Sequence, residues 1–316
     1  MAWSECSTGG ATTEGVKAVP PTAGDFTNLI VQEFANALGL RREGLHMRLL
    51  LPLVSRVTSR LAELAVAFDA DLGSGGFRTA AELFVSHFIE GVAAAGTERV
   101  PLTGPLIIAA NHPGVSDALA IAASLPRDDS RLVMSDVPII RALAYGEDAF
   151  ILVSRDPDDH VRALRQMIEH LETGGAVILF PSTYLTPDPA HGEDEDVEAS
   201  FDDWSPSIVL ALRRVTGCRL QPVIVSGVLA PRFVRHPLTH LVPAPRGWER
   251  QRTAEMLQLM AQLRRENRLG LTPRVTFGEP ISAADLGGGR DRDAAMAQIK
   301  AQTRALLAAH QSSAGD

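Results

Sequence analysis

The chain has 316 residues, 45% of them hydrophobic and 22% charged, enough for one large α/β domain with an appended helical segment or for two small domains. A formal charge of −8 and a pI near 5.6 speak against nucleic acid as a partner and against simple electrostatic attraction to anionic lipid, so any membrane contact is expected to be mostly apolar. Cys6 and Cys218 are far apart and belong to no C-x-x-C or Cys/His cluster, so neither a disulfide framework nor a metal site is expected, and the reducing cytoplasm fits best.

Residues 1–25 are rich in Gly, Thr, Pro and Ser and lack both a basic n-region and an apolar h-region, which reads as a disordered tail rather than a signal peptide. From 26 to 75 the pattern is helical: Phe26, Leu29, Ile30 and Phe34, then Leu50, Leu53, Val54, Val57, Leu61 and Leu64, fall at three- and four-residue steps. Two readings of this segment stay open, helices packed on the main domain or, over Leu49 to Leu64 with its arginines, an in-plane membrane anchor. No stretch approaches eighteen uncharged apolar residues, so no membrane span is expected. Gly73-Ser74-Gly75-Gly76 breaks the pattern and marks a boundary, with an α/β domain over 76–316. That domain opens on an amphipathic helix from about Thr79 to Ala94.

Short apolar runs then alternate with helical patterns. Leu106–Ala110, Leu132–Met134, Phe150–Val153, Ala176–Phe180, Leu220–Val225 and Val275–Phe277 read as strands. Helices are expected near Asp117–Ser124, Val137–Ala144, Pro157–Glu172, Pro206–Val215, Trp248–Asn267 and Arg290–His310. The helix after Asp156 is the clearest, with an Asp cap, Pro at its first position and Val161, Leu164, Ile168 and Leu171 on one face. This alternation predicts an α/β fold, a mostly parallel central sheet flanked by helices, preceded by an N-terminal helical segment. In such sheets ligands bind at the carboxyl ends of the strands.

Asn111-His112-Pro113-Gly114-Val115-Ser116-Asp117 sits at that position after the first strand. An imidazole ends a buried strand, a carboxylate enters the first turn of a helix, and a Pro-Gly turn allows one to fold onto the other. That is the arrangement of a general base with an orienting acid. The bland alternative is a strand-to-helix turn in which Ser116 or Asp117 caps the helix and His112 only packs. His191 and Asp196 share the spacing but lie in a polar, acidic run, which reads as a solvated loop.

Three further landmarks follow in order: Phe150-Ile151-Leu152-Val153-Ser154-Arg155, Phe180-Pro181-Ser182-Thr183, and Gln221-Pro222-Val223-Ile224-Val225-Ser226-Gly227. With the His112 block they resemble the glycerolipid acyltransferase family that includes 1-acylglycerol-3-phosphate acyltransferases, with its N-H-x4-D, aromatic-Ile-x-Arg, F-P-E-G-T-R and V-P-V-x-x-x-G blocks. Arg274–Ile281 resembles the strand that closes that domain. The resemblance covers roughly Val100 to Ile281. It implies transfer of a fatty acyl group from acyl-CoA or acyl carrier protein to a lipid hydroxyl, with no cofactor beyond that co-substrate, by a protein peripheral at the inner face of the membrane. His112 and Asp117 are the implied catalytic residues. Asn111, Gly114, Arg155, Pro181, Ser182, Thr183 and Gly227 are the implied substrate-binding residues, with Arg155 an anion contact and the amide near Gly114 a candidate for the oxyanion.

The third block departs from the family. Ser182-Thr183-Tyr184-Leu185 replaces Glu-Gly-Thr-Arg, and an acidic loop follows with Asp188, Glu193, Asp194, Glu195, Asp196, Glu198, Asp202 and Asp203. A phosphate would be repelled by such a cluster unless it is screened or turned away. The expected acceptor is therefore less anionic than lysophosphatidic acid. The alternative function is a non-catalytic acyl-lipid-binding or regulatory protein of the same fold. The chain has no G-x-S-x-G, P-loop or G-x-G-x-x-G motif, which leaves serine hydrolase and nucleotide-binding readings without support.

Overall fold

The computed structural model describes residues 21–37, 45–114, 116–154, 156–182, 184–192, 194–241, 248–265 and 269–313. In chain order the elements are α1 (Ala23–Ala37), α2 (Leu45–Val85), β1 (Ala93–Ala95), β2 (Leu106–Ala110), α3 (Ser116–Ser124), β3 (Ser130–Ser135), α4 (Pro138–Arg141), α5 (Gly146–Ala149), β4 (Phe150–Val153), α6 (Pro157–Glu172), β5 (Ala176–Leu179), α7 (Asp194–Ala199), α8 (Ser207–Arg214), β6 (Arg219–Ser226), α9 (Pro231–Val234), α10 (Trp248–Arg265), β7 (Arg274–Phe277), β8 (Ile281–Ser282) and α11 (Arg292–Ser312).

The strands form one sheet in the order β1-β7-β6-β2-β5-β3-β4, with β8 also paired to β6. Strands β6, β2, β5, β3 and β4 are mutually parallel, whereas β7 and β8 run antiparallel to β6. This is the mostly parallel sheet flanked by helices that the alternation predicts. Strand β2 explains why the sequence reads as an unbroken apolar run. Leu106, Ile108 and Ala110 join the core on one face, with α1, α2, α3 and α10. Ile107 and Ala109 join the core on the other, with α6, α8 and α11. The period of two along the strand sends alternate side chains to two separate hydrophobic layers.

Local chemistry sets the helix starts. The α6 cap is as expected, with Asp156 accepting from the Asp158 amide ahead of Pro157. At α1, the Thr22 amide donates to Asp25 Oδ2 and the Asp25 amide to Thr22 Oγ1, a reciprocal capping box. Helix thus begins at Ala23, inside the stretch read as a tail; residues 1–20 lie outside the described residues. The Gly73–Gly76 break is also not a helix end. Helix runs on to Val85 with a kink at Gly76, whose φ of 73° suits glycine. Each glycine costs about 1 kcal/mol against alanine. Phe68 and Leu72 before the kink and Phe77, Ala80 and Ala81 after it are buried in the same layer, and burial of one such large side chain outweighs that cost. Of the stretch proposed as a membrane anchor, Val57, Ala62 and Leu64 are buried in the core shared with the sheet, so from Val57 onward the packed-helix reading holds. The helix expected over Thr79–Ala94 ends at Val85, and Ala93–Ala95 pairs as β1 with β7 instead.

On the antiparallel side of the sheet, His310 of α11 is 1% exposed, with Nε2 bonded to Ser226 Oγ and Nδ1 to Thr276 Oγ1, each at 2.7 Å. Burial, helped by the nearby Arg274 charge, pulls the imidazole down to about 4. A histidine whose folded value lies below its unfolded 6.5 must be charged against its environment as pH falls, so the stability held above 6.5 is lost as pH drops toward 4. The expected size of this contribution is about 3 kcal/mol. Denaturant titrations across that window should show a steeper acid loss in the wild type than in His310→Gln; parallel curves would refute it.

Candidate active site

Three central strands, β6, β2 and β5, end side by side, and the loops that leave them build the site. After β2, the turn folds His112 back onto the first turn of α3. His112 Nδ1 lies 2.8 Å from Asp117 Oδ2. Asp117 is fully buried and also accepts from the Gly114 amide at 3.1 Å and the Ala118 amide at 2.5 Å, so its carboxylate is fixed by backbone donors and by the imidazole together. With Nδ1 committed, Nε2 is the nitrogen left to act; among the described residues it has no hydrogen-bond partner, and the His112 side chain keeps 24% exposure. Burial, the largest influence, favours the neutral ring. The charge and hydrogen bond of Asp117, with the charge of Glu255, outweigh it and raise the imidazole above its ordinary 6.5.

The supporting contacts come from both neighbouring strands. Asn111, fully buried, donates to the Val225 carbonyl and accepts from the Val225 amide, both at 2.8 Å, which locks the end of β2 to β6. On the other flank, Phe180, which follows β5, stacks on the imidazole at 4.2 Å with the planes 17° apart. Thr186 Oγ1 accepts from the His112 amide at 2.9 Å, and the Thr186 amide donates to the His112 carbonyl at 2.8 Å. The loop is therefore clamped at both ends of the histidine.

The remaining residues expected here separate into groups. Pro181 and Ser182 are buried after β5, with the Pro181 carbonyl accepting from the Ser205 amide and Ser182 Oγ donating to the Tyr184 carbonyl. Gly227 adopts φ 73° at the exit of β6 and donates to Asp188 Oδ1 at 2.8 Å. The Gly114 amide is taken by Asp117; its place in the site is to hold the acid. Arg155 and Thr183 lie outside the described residues. The strand before Arg155, β4, is the sheet edge, three strand spacings or about 14 Å from β2.

Asp188 is a correction to the picture of a solvated acidic loop. It is 3% exposed and accepts from the Ala190, Gly227 and Val228 amides. Burial pushes its carboxyl above the usual range against the pull of those donors. Farther along, Asp202 pairs with Arg304 at 2.7 Å and Asp203 accepts from the Tyr184 hydroxyl, while Val197, Phe201 and Trp204 are buried. His191 of the second His-x4-Asp spacing donates from Nε2 to the Leu229 carbonyl.

Helix α10 falls where the sequence predicts a helix, but its part in the site carried no sequence signal. Its Gln251 donates to the carbonyls of Pro113 and Thr186. Gln258 bonds the Ala230 amide and the Val228 carbonyl, and Gln262 the Phe88 carbonyl. Glu255 comes so close that a Cβ on Gly114 would meet its Oε1 at 2.9 Å. These residues fall at i, i+4, i+7 and i+11, one helix face laid across the His112 loop.

A family model described as Acyltransferase matches residues 91–225. No curated protein matches the chain. Among solved structures, the crystal structure of the 1-acyl-sn-glycerophosphate (LPA) acyltransferase PlsC from Thermotoga maritima is 17% identical and covers 90% of this chain and 91% of its own, with a TM-score of 0.40. Over residues 91–225, the stretch that carries the His112 loop and its neighbouring strands, the chain is similar to the acyltransferase family.

Proposed function

We propose that the protein moves a fatty acyl group from a thioester, acyl-CoA or acyl carrier protein, to a hydroxyl of a glycerolipid-type acceptor, with His112 as general base. The observation that carries this reading is the buried Asp117 holding Nδ1 of a partly exposed His112 at the carboxyl ends of the central strands. A lipid hydroxyl is a poor nucleophile near neutral pH and needs a base within hydrogen-bond reach. Nε2 takes the hydroxyl proton as oxygen attacks the thioester carbonyl. Asp117 stabilises the imidazolium and keeps the ring in one tautomer. When the tetrahedral intermediate collapses, the C–S bond breaks and the departing thiolate receives that proton. The bookkeeping closes without a covalent enzyme intermediate and without a cofactor.

Among the described residues no helix is long and apolar enough to cross a membrane; the proposed substrates favour a peripheral position at the inner face of one. For the acceptor, Ser182, Tyr184 and Leu185 bring no cation where the family has one. The reading is an acceptor less anionic than lysophosphatidic acid, neutral, zwitterionic or sugar-bearing. Purified protein mixed with acyl-CoA or acyl carrier protein and detergent-dispersed lysolipids is expected to release free thiol fastest with such acceptors. A preference for lysophosphatidic acid refutes the acceptor assignment, and no release with any acceptor refutes the enzyme in favour of a lipid-binding protein of the same fold.

A further inference from the structure

The charge of −8 is unevenly distributed. Between Leu229 and Thr253 the sequence holds Arg232, Arg235, Arg246, Arg250 and Arg252 against Glu249 alone, a local +4 with histidines neutral, and adds His236 and His240. The remainder of the chain therefore carries −12. The described residues of this stretch form α9, the turn Pro237–Leu241 and the start of α10, and α10 packs on both α9 and the turn. It follows directly on β6, the strand parallel to β2 and next to it, so it emerges at the same edge of the sheet as His112. Val228, just before α9, touches the His112 loop: a Cβ on Gly114 would lie 3.2 Å from its Cγ2.

Arg232, Arg235, Arg250 and Arg252 are exposed, and among the described residues none pairs with a carboxylate. Arg127, Arg141 and Arg304 elsewhere do. The Arg232 guanidinium sits 4.9 Å from the Phe233 ring centroid, which holds it at the surface by a cation–π contact. Between these cations Leu238 is 46% exposed beside exposed Pro237. The apolar positions of α2 from Val57 to Leu64 that would otherwise serve as an anchor are spent in the core.

We propose that the α9–turn–α10 edge is the surface by which the protein docks on an anionic bilayer, with the arginines against lipid phosphates and Leu238 entering the interface. Charge complementarity selects the partner: each arginine near an anionic leaflet strengthens binding about fivefold, and an apolar tip among cations gains from hydrocarbon as well. Docked this way, the edge that carries His112 faces the lipid. That orientation rests on the proposed function; the docking itself does not.

The test is sedimentation of the full chain with vesicles of phosphatidylcholine alone or with added phosphatidylglycerol, in the absence of any substrate. The wild type is expected to partition strongly only to the anionic vesicles and to be released by salt. Arg232→Glu/Arg235→Glu is expected to weaken this binding by about tenfold or more. Arg165→Glu/Arg214→Glu, the same charge change on the exposed side of α6 and α8, is expected to bind like the wild type. Arg232→Gln/Arg235→Gln, with melting curves for all variants, guards against misfolding and is expected to fall between. Equal binding to both vesicle types, an unaffected Arg232/Arg235 variant, or equal loss in both glutamate pairs overturns the proposal. Wild-type vesicle binding in the Arg232/Arg235 variant with loss of transfer from acyl carrier protein alone also overturns it and makes the surface a carrier-protein site. Vesicle binding that persists in a protein with no thiol release refutes the enzyme reading and leaves this one standing.

Discussion

A His112→Ala protein is expected to fold as the wild type does and to transfer acyl groups about 10²- to 10⁴-fold more slowly, the range contributed by a positioned general base. Folding should survive because the imidazole is partly exposed and, among the described residues, its one side-chain hydrogen bond is to Asp117, which keeps the Gly114 and Ala118 amides when the ring is removed. Asp117→Asn is expected to be nearly as slow, since an amide in that pocket no longer fixes the tautomer or offsets the imidazolium charge. Proton uptake by His112 Nε2 requires the neutral ring, so kcat/KM should fall as pH drops through a value above 6.5, where Asp117 and Glu255 have raised it. Glu255→Gln should move that limb to lower pH without abolishing turnover. Thiol-release rates across pH in the folded variants decide the matter; a fully active His112→Ala protein would falsify the mechanism.

The largest effect on stability is expected at the opposite end of the sheet. Arg127 is 3% exposed and uses all five of its donors: Nε and Nη2 on the two oxygens of Asp129, Nη1 on the Pro101 and Gly104 carbonyls, and Nη2 again on the Gly174 carbonyl. It ties together the loops that feed β2, β3 and β5. Burial would push the Asp129 carboxyl up, but the guanidinium holds it below the usual range. Arg127→Met leaves the half-exposed Asp129 carboxylate to solvent but takes this donor from three carbonyls; leaving such acceptors unpaired costs about 1–3 kcal/mol each, so a loss of about 3–5 kcal/mol is expected. The melting temperature should fall by roughly 10 °C. Arg127→Lys should recover only part of it, because an ammonium cannot reproduce the fork. Below the transition, turnover of the Arg127→Met protein should match the wild type; a small change in melting temperature would contradict this role.

The strand, turn and helix around His112 were legible because each signal was local: an apolar run buried on both faces, a Pro-Gly turn, a carboxylate in a first helical turn. Helix α6 was legible to the residue, since cap, proline and apolar stripe agree. Three alanines in β1 carry no strand signal. Their partner, the edge of β7, is some 180 residues away, and pairing there overrides propensity. Val197, Phe201 and Trp204 have helical spacing, but eight acids around them hid it. Helix α10 was legible as a helix but not as part of the site: its inward stripe is Gln251, Glu255, Gln258 and Gln262, and a period sought in apolar residues does not register polar ones that read backbone. Asp188 left no trace, because nothing in its neighbourhood indicates that Gly227 and Val228 are its partners.

Strand β6 pairs with β2 on one side and on the other with β7, from Val223 opposite Phe277 to Ser226 opposite Arg274. The match to the acyltransferase family model stops at 225, yet the strands that seal this flank, β7 and β8, are encoded after it. A fragment ending there would be no excisable module. It would present β6 as a raw margin of unanswered amides and carbonyls, the kind that recruits strands from other molecules, and would strip Gln251 from the turn that shapes the histidine. The chain's last quarter is thus the closing seam of the domain, although the family-model match does not reach it.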